Sequence, residues 1–483
     1  MRFRVFVSVV ICCALVVLAS TDAAAAVKLP AVFGDNMVLQ RGQPVPIWGW
    51  ADKGEEVTVA VAGQTLSAKA GDDGRWKVTL DKLAVGQPLE MSVKASSGNT
   101  ITVKNIAVGE VWVCSGQSNM EMGVGMCNHA TEEIAAAKYP QIRLFKVVKQ
   151  NAAQPATDVK GNWKPCTPQS VAADGWGGFS AAAYFFGRQL HKNLKVPVGL
   201  IDTSWGGTPA EFWTSRKALE ANPALKPLAQ GESSCLYNGM IAPLIPYAIR
   251  GAIWYQGESN VGAAYQYRTL FPAMIANWRA DWGQGDFPFG FVQIAPFKYH
   301  NDSKIDPACC PELWEAQRMT LDASPNTGMA VTVDIADVEG IHPKNGDFNG
   351  IHPKNKQEVG RRLALWALAK VYGRELVYSG PIYKSMAVEG GNIRLQFDHR
   401  GGGLKTRDGK PLSDFTIAGA DQKFVPAVAA IDGDTIVVHS DKVAKPVAVR
   451  FGWHDTATPN LANKDGLPAS PFRTDRWKGV TER

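Results

Sequence analysis

Four short, largely apolar runs constrain what this chain can fold into. They are VWVC at residues 111–114, VGLIDT at 198–203, GAIWY at 251–255 and GMAVTVD at 328–334. Each is too short for a helix and suits a strand buried on both faces. A fifth run, at 289–295, reads the same way. Between them lie helical patterns: SAAAYFFGRQLHK at 180–192 with Ser180 as N-cap, an amphipathic stretch at 265–281, and another at 312–322. The clearest helix spans 356–372, with Leu363, Trp366, Leu368 and Val371 apolar and Gly373 closing it. Strands that alternate with helices pair in parallel, because a parallel neighbour needs a crossover. Residues 109–375 are therefore expected to be an α/β domain with a mainly parallel sheet covered on both faces.

The flanking text has a different rhythm. Residues 27–108 are short runs rich in Val, Ile, Thr and Trp, cut by turn signals such as Asp73-Gly74 and Ser97-Gly98-Asn99. They predict a small antiparallel β-sandwich of about seven strands. β-type text with Gly-Asp and Gly-Gly turns returns over residues 376–483, predicting a second, C-terminal sandwich. Residues 1–26 carry Arg2 and Arg4, an apolar run over 5–18 and small residues up to Ala26, the layout of a cleaved export signal. The apolar run is shorter than a membrane span requires. A periplasmic or secreted protein, off the membrane after cleavage, is expected. Cys114, Cys127, Cys166, Cys235, Cys309 and Cys310 would then sit where disulfides are permitted, and no spacing among them resembles a zinc site. The formal charge of +6 over 483 residues, without a dense basic stripe, argues against a nucleic-acid partner.

In an open α/β sheet, ligands bind beyond the carboxyl ends of the strands. After 111–114 comes Ser118, on a turn that differs from a G-x-S-x-G elbow because Met120 replaces the second glycine. After 198–203 comes the Gly206-Gly207 loop, and after 251–255 the amide-rich Gln256-Gly257-Glu258-Ser259-Asn260. After 328–334 comes a loop holding His342 and His352. A serine, a histidine of near-neutral pKa and a set of N–H donors are the parts that acyl transfer needs.

The motifs WVCSGQSNMEM, DTSWGGTPAEFW, WYQGESN and IHPKNKQEVGRRLAL, with PNLANKDGLPASPFRTD near the C-terminus, are long and specific. By them the chain resembles the sialate O-acetylesterase-like family of SGNH-type hydrolases over nearly its whole mature length. That resemblance implies an SGNH-type, flavodoxin-like α/β domain decorated with β-domains, no metal or organic cofactor, and an O-acetylated sugar or glycan as substrate. It makes Ser118 the nucleophile and its N–H one oxyanion donor, a backbone N–H of Gly206 or Gly207 the second, and the Gln256 side chain a helper. Glu258 is expected to orient the base or brace its loop.

At the histidine the chain departs from the family pattern. GIHPKN occurs at 340–345 and again at 350–355. His352 is the favoured base, since its copy runs directly into the 356–372 helix. Asp347, five positions earlier, is the candidate acid, although the D-x-x-H pattern wants an acid three positions before the histidine, where Asn349 stands. His342 with Asp337 is the alternative pair, with Glu339 at the three-residue spacing. His129, His191, His300, His399, His439 and His454 are read as structural, and Trp48, Trp50, Trp205 and Trp254 as core rather than sugar platforms. Arg216, Arg250 and Arg268 are near enough in sequence to the loops to be candidates for reading a substrate carboxylate. An exported carbohydrate O-acetylesterase, on sialate or on acetylated xylan, is the leading expectation. A non-catalytic glycan-binding protein with a degenerate site is the rival from another class. A lipase or thioesterase would call for a long apolar insertion, which the chain lacks.

Overall fold

The computed structural model describes residues 27–301, 305–336 and 348–482. Its N-terminal part uses β1 (Val38–Gln40), β2 (Val45–Trp50), β3 (Glu56–Val61), β4 (Gln64–Lys69), β5 (Arg75–Leu80) and β6 (Leu89–Ala95). β2 and β5 pair as one antiparallel sheet, and β4, β3 and β6 form the other. The long strand β7 (Thr100–Gly116) completes that second sheet and then continues into the next domain. Its early residues are mostly exposed, and from Ile106 onward every residue is buried. The expected change of domain at residue 108 thus falls inside one continuous strand.

The buried half of β7 is the centre of a parallel sheet. On one side lie β8 (Tyr139–Lys146), capped at the edge by antiparallel β9 (Trp163–Cys166), and β10 (Val198–Ser204), which pairs directly with β7. On the other side lie β11 (Gly251–Tyr255), β12 (Phe289–Gln293) and β13 (Thr327–Val331). The order is β13-β12-β11-β7-β10-β8-β9, so the chain leaves β7 toward one edge and later returns to its other side. That makes the end of β7 the switch point at which such sheets bind ligands.

Helices Ala181–Leu194 and Lys356–Lys370 pack closely, because a Cβ at Gly360 would lie 2.5 Å from that of Phe185. Arg362 clamps the second helix to the end of β13 through paired bonds to Asp334 at 2.6 and 2.7 Å. The C-terminal part forms two four-stranded antiparallel sheets around Ile393, Leu395, Phe451 and Phe472. It is tied to the α/β domain by Arg473 to Glu315 and by Gln293 to Ser470, each at 2.9 Å. The α/β core between two β-domains is the expected architecture. The six cysteines of the described residues are free thiols. No helix among the described residues is long and apolar enough to cross a membrane. Residues 1–26, read as an export signal, lie outside the described residues.

Candidate active site

β7 ends in a turn that only glycine can make. Gly116 has φ +141°, and a Cβ there would sit 2.2 Å from the Tyr255 carbonyl oxygen. Both neighbouring strand ends grip the turn: Gln117 N–H donates to Tyr255 O and Trp205 N–H to Gly116 O, each at 3.0 Å. The chain then enters the one-turn helix Ser118–Glu121. The N–H groups of Met120 and Glu121 bond back to Gln117 O, whereas those of Ser118 and Asn119 precede any helical acceptor.

Ser118 Oγ faces His352, whose Nε2 is 2.8 Å away. His352 arrives just ahead of the helix Lys356–Lys370, which Asn355 caps by accepting Glu358 N–H at 3.2 Å. Its loop is held from outside by Asn128 N–H donating to Lys354 O at 2.9 Å, and the Trp176 ring stands edge-on at 4.8 Å. Burial, and then the charge of Lys356, push the imidazole down from its ordinary value to about 4, against the opposing pull of Glu121. At neutral pH the ring is uncharged and free to accept a proton from the serine. Asp347, Asp337 and His342 lie outside the described residues.

Behind this pair is a buried polar network. Asn119 Nδ2 donates to Ile351 O at 2.9 Å and to Glu258 Oε1 at 2.5 Å, while Asn119 Oδ1 accepts from Lys356 Nζ at 2.5 Å. One amide next to the serine thereby fastens the residue next to the histidine. Burial pushes Lys356 down to about 7, opposed by Glu258, and raises Glu258. Glu258 is half-buried as a residue, yet its Oε2 is enclosed without a hydrogen-bond partner. Through Asn119 it is joined to the same network as the serine and the histidine loop. Asn119→Ala should lower kcat by about 10–100-fold with KM little changed, since small displacements of reacting groups cost that much. It should also destabilise the fold by about 2 kcal/mol, because charged partners lose their bonds. Steady-state kinetics and a thermal melt check both effects.

The expected oxyanion donors divide. Gly206 lies against the serine, its would-be Cβ 3.2 Å from that of Ser118, but its N–H donates to Glu121 Oε2 at 2.7 Å. Glu121 also pairs with Lys149 at 2.6 Å. Gln256 is fully buried and turned away. Its Nε2 donates to Asn260 Oδ1 at 2.6 Å and Thr208 O at 3.3 Å, and its Oε1 accepts from Tyr267 at 2.9 Å. The amide is therefore spent on the loop's own architecture, contrary to the expectation. Gly207, at φ +74°, is exposed one residue beyond. Glu121, Asn119 and Lys356 escaped the sequence reading; Glu121 had one faint signal, its place three residues past Ser118 on the same helical turn.

The candidate arginines are all engaged. Arg250 pairs with Glu110 at 2.7 Å, Arg268 with Glu315 at 2.5 Å, and Arg216 donates to Ala229 O at 2.5 Å. Trp254 is core, and Trp205 carries Lys149 over its ring at 5.4 Å. Among the described residues, His300, His454 and Asp455 form a group able to hold a cation, with ligand atoms within 4.8 Å of one another. His300 Nδ1 lies 2.8 Å from Asp455 Oδ2, which joins the 299–301 turn to the C-terminal domain.

A family model described as "carbohydrate esterase, sialic acid-specific acetylesterase" matches residues 108–365. Sialate O-acetylesterase of Rattus norvegicus is 31% identical, over 87% of this chain and 88% of that protein. The Homo sapiens sialate O-acetylesterase is 30% identical over 95% and 94%. Among solved structures, a carbohydrate acetylesterase from Xanthomonas citri is 41% identical with a TM-score of 0.84, covering 94% of this chain and all of that one.

Proposed function

Because the chain belongs to the sialic acid-specific acetylesterase family of carbohydrate esterases, we propose that it removes O-acetyl groups from sugars through an acetyl-enzyme on Ser118. The observation that carries this reading is the 2.8 Å approach of His352 Nε2 to Ser118 Oγ. Ser118 Oγ attacks the acetyl carbonyl carbon while His352 takes its proton. The oxyanion that forms is held by the N–H groups of Ser118 and Gly207, the Gly206 N–H being committed to Glu121. His352 passes the proton to the departing sugar oxygen, the C–O bond breaks, and acetate is left as an ester on Ser118. Water then attacks, again deprotonated by His352, and acetate leaves as the serine regains its proton. Asp347 is the proposed acid that orients the imidazole. Residues 1–26 are proposed to direct export, and cell fractionation tests that.

The acid limb of the pH profile tests the base. Only the neutral imidazole accepts the serine proton, so kcat/KM should fall about tenfold per unit below the His352 pKa and be flat above it. With that pKa near 4, activity should persist well below the ordinary histidine range. Lys356→Met removes a positive charge that holds the imidazole down, so the limb should move to higher pH. An unmoved limb would assign it to another group.

Substrate class is tested by acetate release from O-acetylated sialic acid, acetylated xylan and p-nitrophenyl acetate. Release from sialic acid in preference to xylan is the expected result. Preference for xylan makes the chain a polysaccharide deacetylase. Release from none of the three would sink the enzymatic reading in favour of glycan binding alone.

A further inference from the structure

We infer that a recess beside the N-terminal sandwich is a second saccharide site, shaped for a sugar residue that carries a carboxylate. Residues on β2 alternate between the two faces of its sheet. Val45, Ile47 and Gly49 are buried on one face, while Pro46, Trp48 and Trp50 lie on the other and are partly covered, Trp48 by the core rings of Phe33 at 4.6 Å and Tyr247 at 6.4 Å. Outward positions on a half-buried sheet are ordinarily polar, and here two of the three are tryptophan. The register of β2 on β5 sets Trp48 opposite Lys77 and Trp50 opposite Arg75. Each ring thus stands beside a cation on the same face, within the reach of directly paired side chains.

Pro155 and Pro243 help wall a recess of about 390 Å³ over this face, within the size range of small-molecule sites. Trp50 offers a flat apolar face for the C–H side of a pyranose, with little side-chain freedom to lose on binding, and Trp48, braced on Phe33 and Tyr247, helps line the recess. The guanidinium and ammonium supply donors for a carboxylate, the guanidinium in a fork that matches its two oxygens. Both cations are available. Arg75 is 63% exposed and only loosely paired with Asp73 at 3.7 Å, and Lys77 has no acidic partner among the described residues. That contrasts with Arg216, Arg250 and Arg268, which are all engaged. The buried Trp76, also in the wall, keeps an indole N–H without a hydrogen-bond partner.

The segment joining β8 to β9 links the recess to the active site. It begins near Lys149, which holds Glu121, and reaches Pro155 and Thr157 in the wall. A glycan held in the recess is thereby tethered on the molecule that would deacetylate it. The inference rests on the proposed action on sugars, but its test does not require turnover.

Binding of N-acetylneuraminic acid, glucuronic acid and xylose to the full chain is measured by calorimetry and tryptophan fluorescence. The two acids should bind about tenfold more tightly than neutral xylose, and whichever acid is tighter identifies the source of the carboxylate. Trp50→Ala and the exposed pair Arg75→Gln/Lys77→Gln should each weaken acid binding about tenfold while p-nitrophenyl acetate turnover stays unchanged. Unchanged turnover also shows that each variant is folded. Equal binding of acid and neutral sugars would overturn the carboxylate assignment. Full binding in both variants would place the sugar elsewhere and overturn the site, as would no binding of any sugar. Failure of the esterase reading registers separately, as absent acetate release from acetylated sugars.

Discussion

Ser118→Ala is expected to lower acetate release by about a millionfold, or about 8 kcal/mol of transition-state stabilisation. The loss is this large because, among the described residues, Ser118 is the hydroxyl that meets the imidazole. Its Oγ meets the imidazole at 2.8 Å at the end of β7, on a turn fixed by Gly116 and gripped by both neighbouring strands. Removing one half-exposed oxygen leaves no cavity in the core, so the thermal midpoint should stay within a few degrees of wild type. Initial rates on p-nitrophenyl acetate with a parallel melt separate the two effects. A variant that keeps even a hundredth of the wild-type rate contradicts the assignment.

His352→Ala should cost nearly as much, and the double variant Ser118→Ala/His352→Ala should be no slower than either single one. A nucleophile and its base act as one unit, and the loss of either disables both. Additive losses in the double variant would mean that the two side chains do separate work. His342→Ala, in the other copy of GIHPKN, should retain the wild-type rate. If His342→Ala is the inactive one, the base belongs to the first copy of the repeat, and the contact of His352 with Ser118 has another purpose.

The fold was legible because it rests on periodicity, which sequence displays directly. Short buried runs separated by helical patterns gave the parallel sheet, and strand ends located the serine and the histidine. The expected domain boundary falls inside a strand for a physical reason. β7 serves two sheets, mostly exposed in the first and buried on both faces in the second, so its composition changes at about residue 106 while its backbone runs on unbroken.

The sequence pointed to Ser118 and His352, which lie 2.8 Å apart in the fold, and not to the residues that support them. Gln256 reads as a polar residue at a strand end whether its amide faces a substrate or, as here, Asn260 and Tyr267. The N–H of Gly206 looks available until Glu121 is seen to take it. Asn119, Glu121 and Lys356 resemble ordinary surface residues in the sequence. All three are buried, and their function lies in partners as far as 237 residues away. Composition carries no trace of such pairings. Trp48, read as core, does pack on Phe33 and Tyr247, whereas Trp50, read the same way, was ambiguous until the alternation of β2 showed which face it occupies.

The most direct measurement is labelling by a fluorophosphonate, in which the serine oxygen bonds to phosphorus and fluoride departs. Peptide mass analysis should find one adduct, on Ser118, with acetate release lost in proportion to labelling. His352→Ala should label far more slowly, because the attacking oxygen lacks its base. An enzyme that still releases acetate when Ser118 is fully labelled, or whose adduct sits on another residue, would contradict the acetyl-enzyme on Ser118.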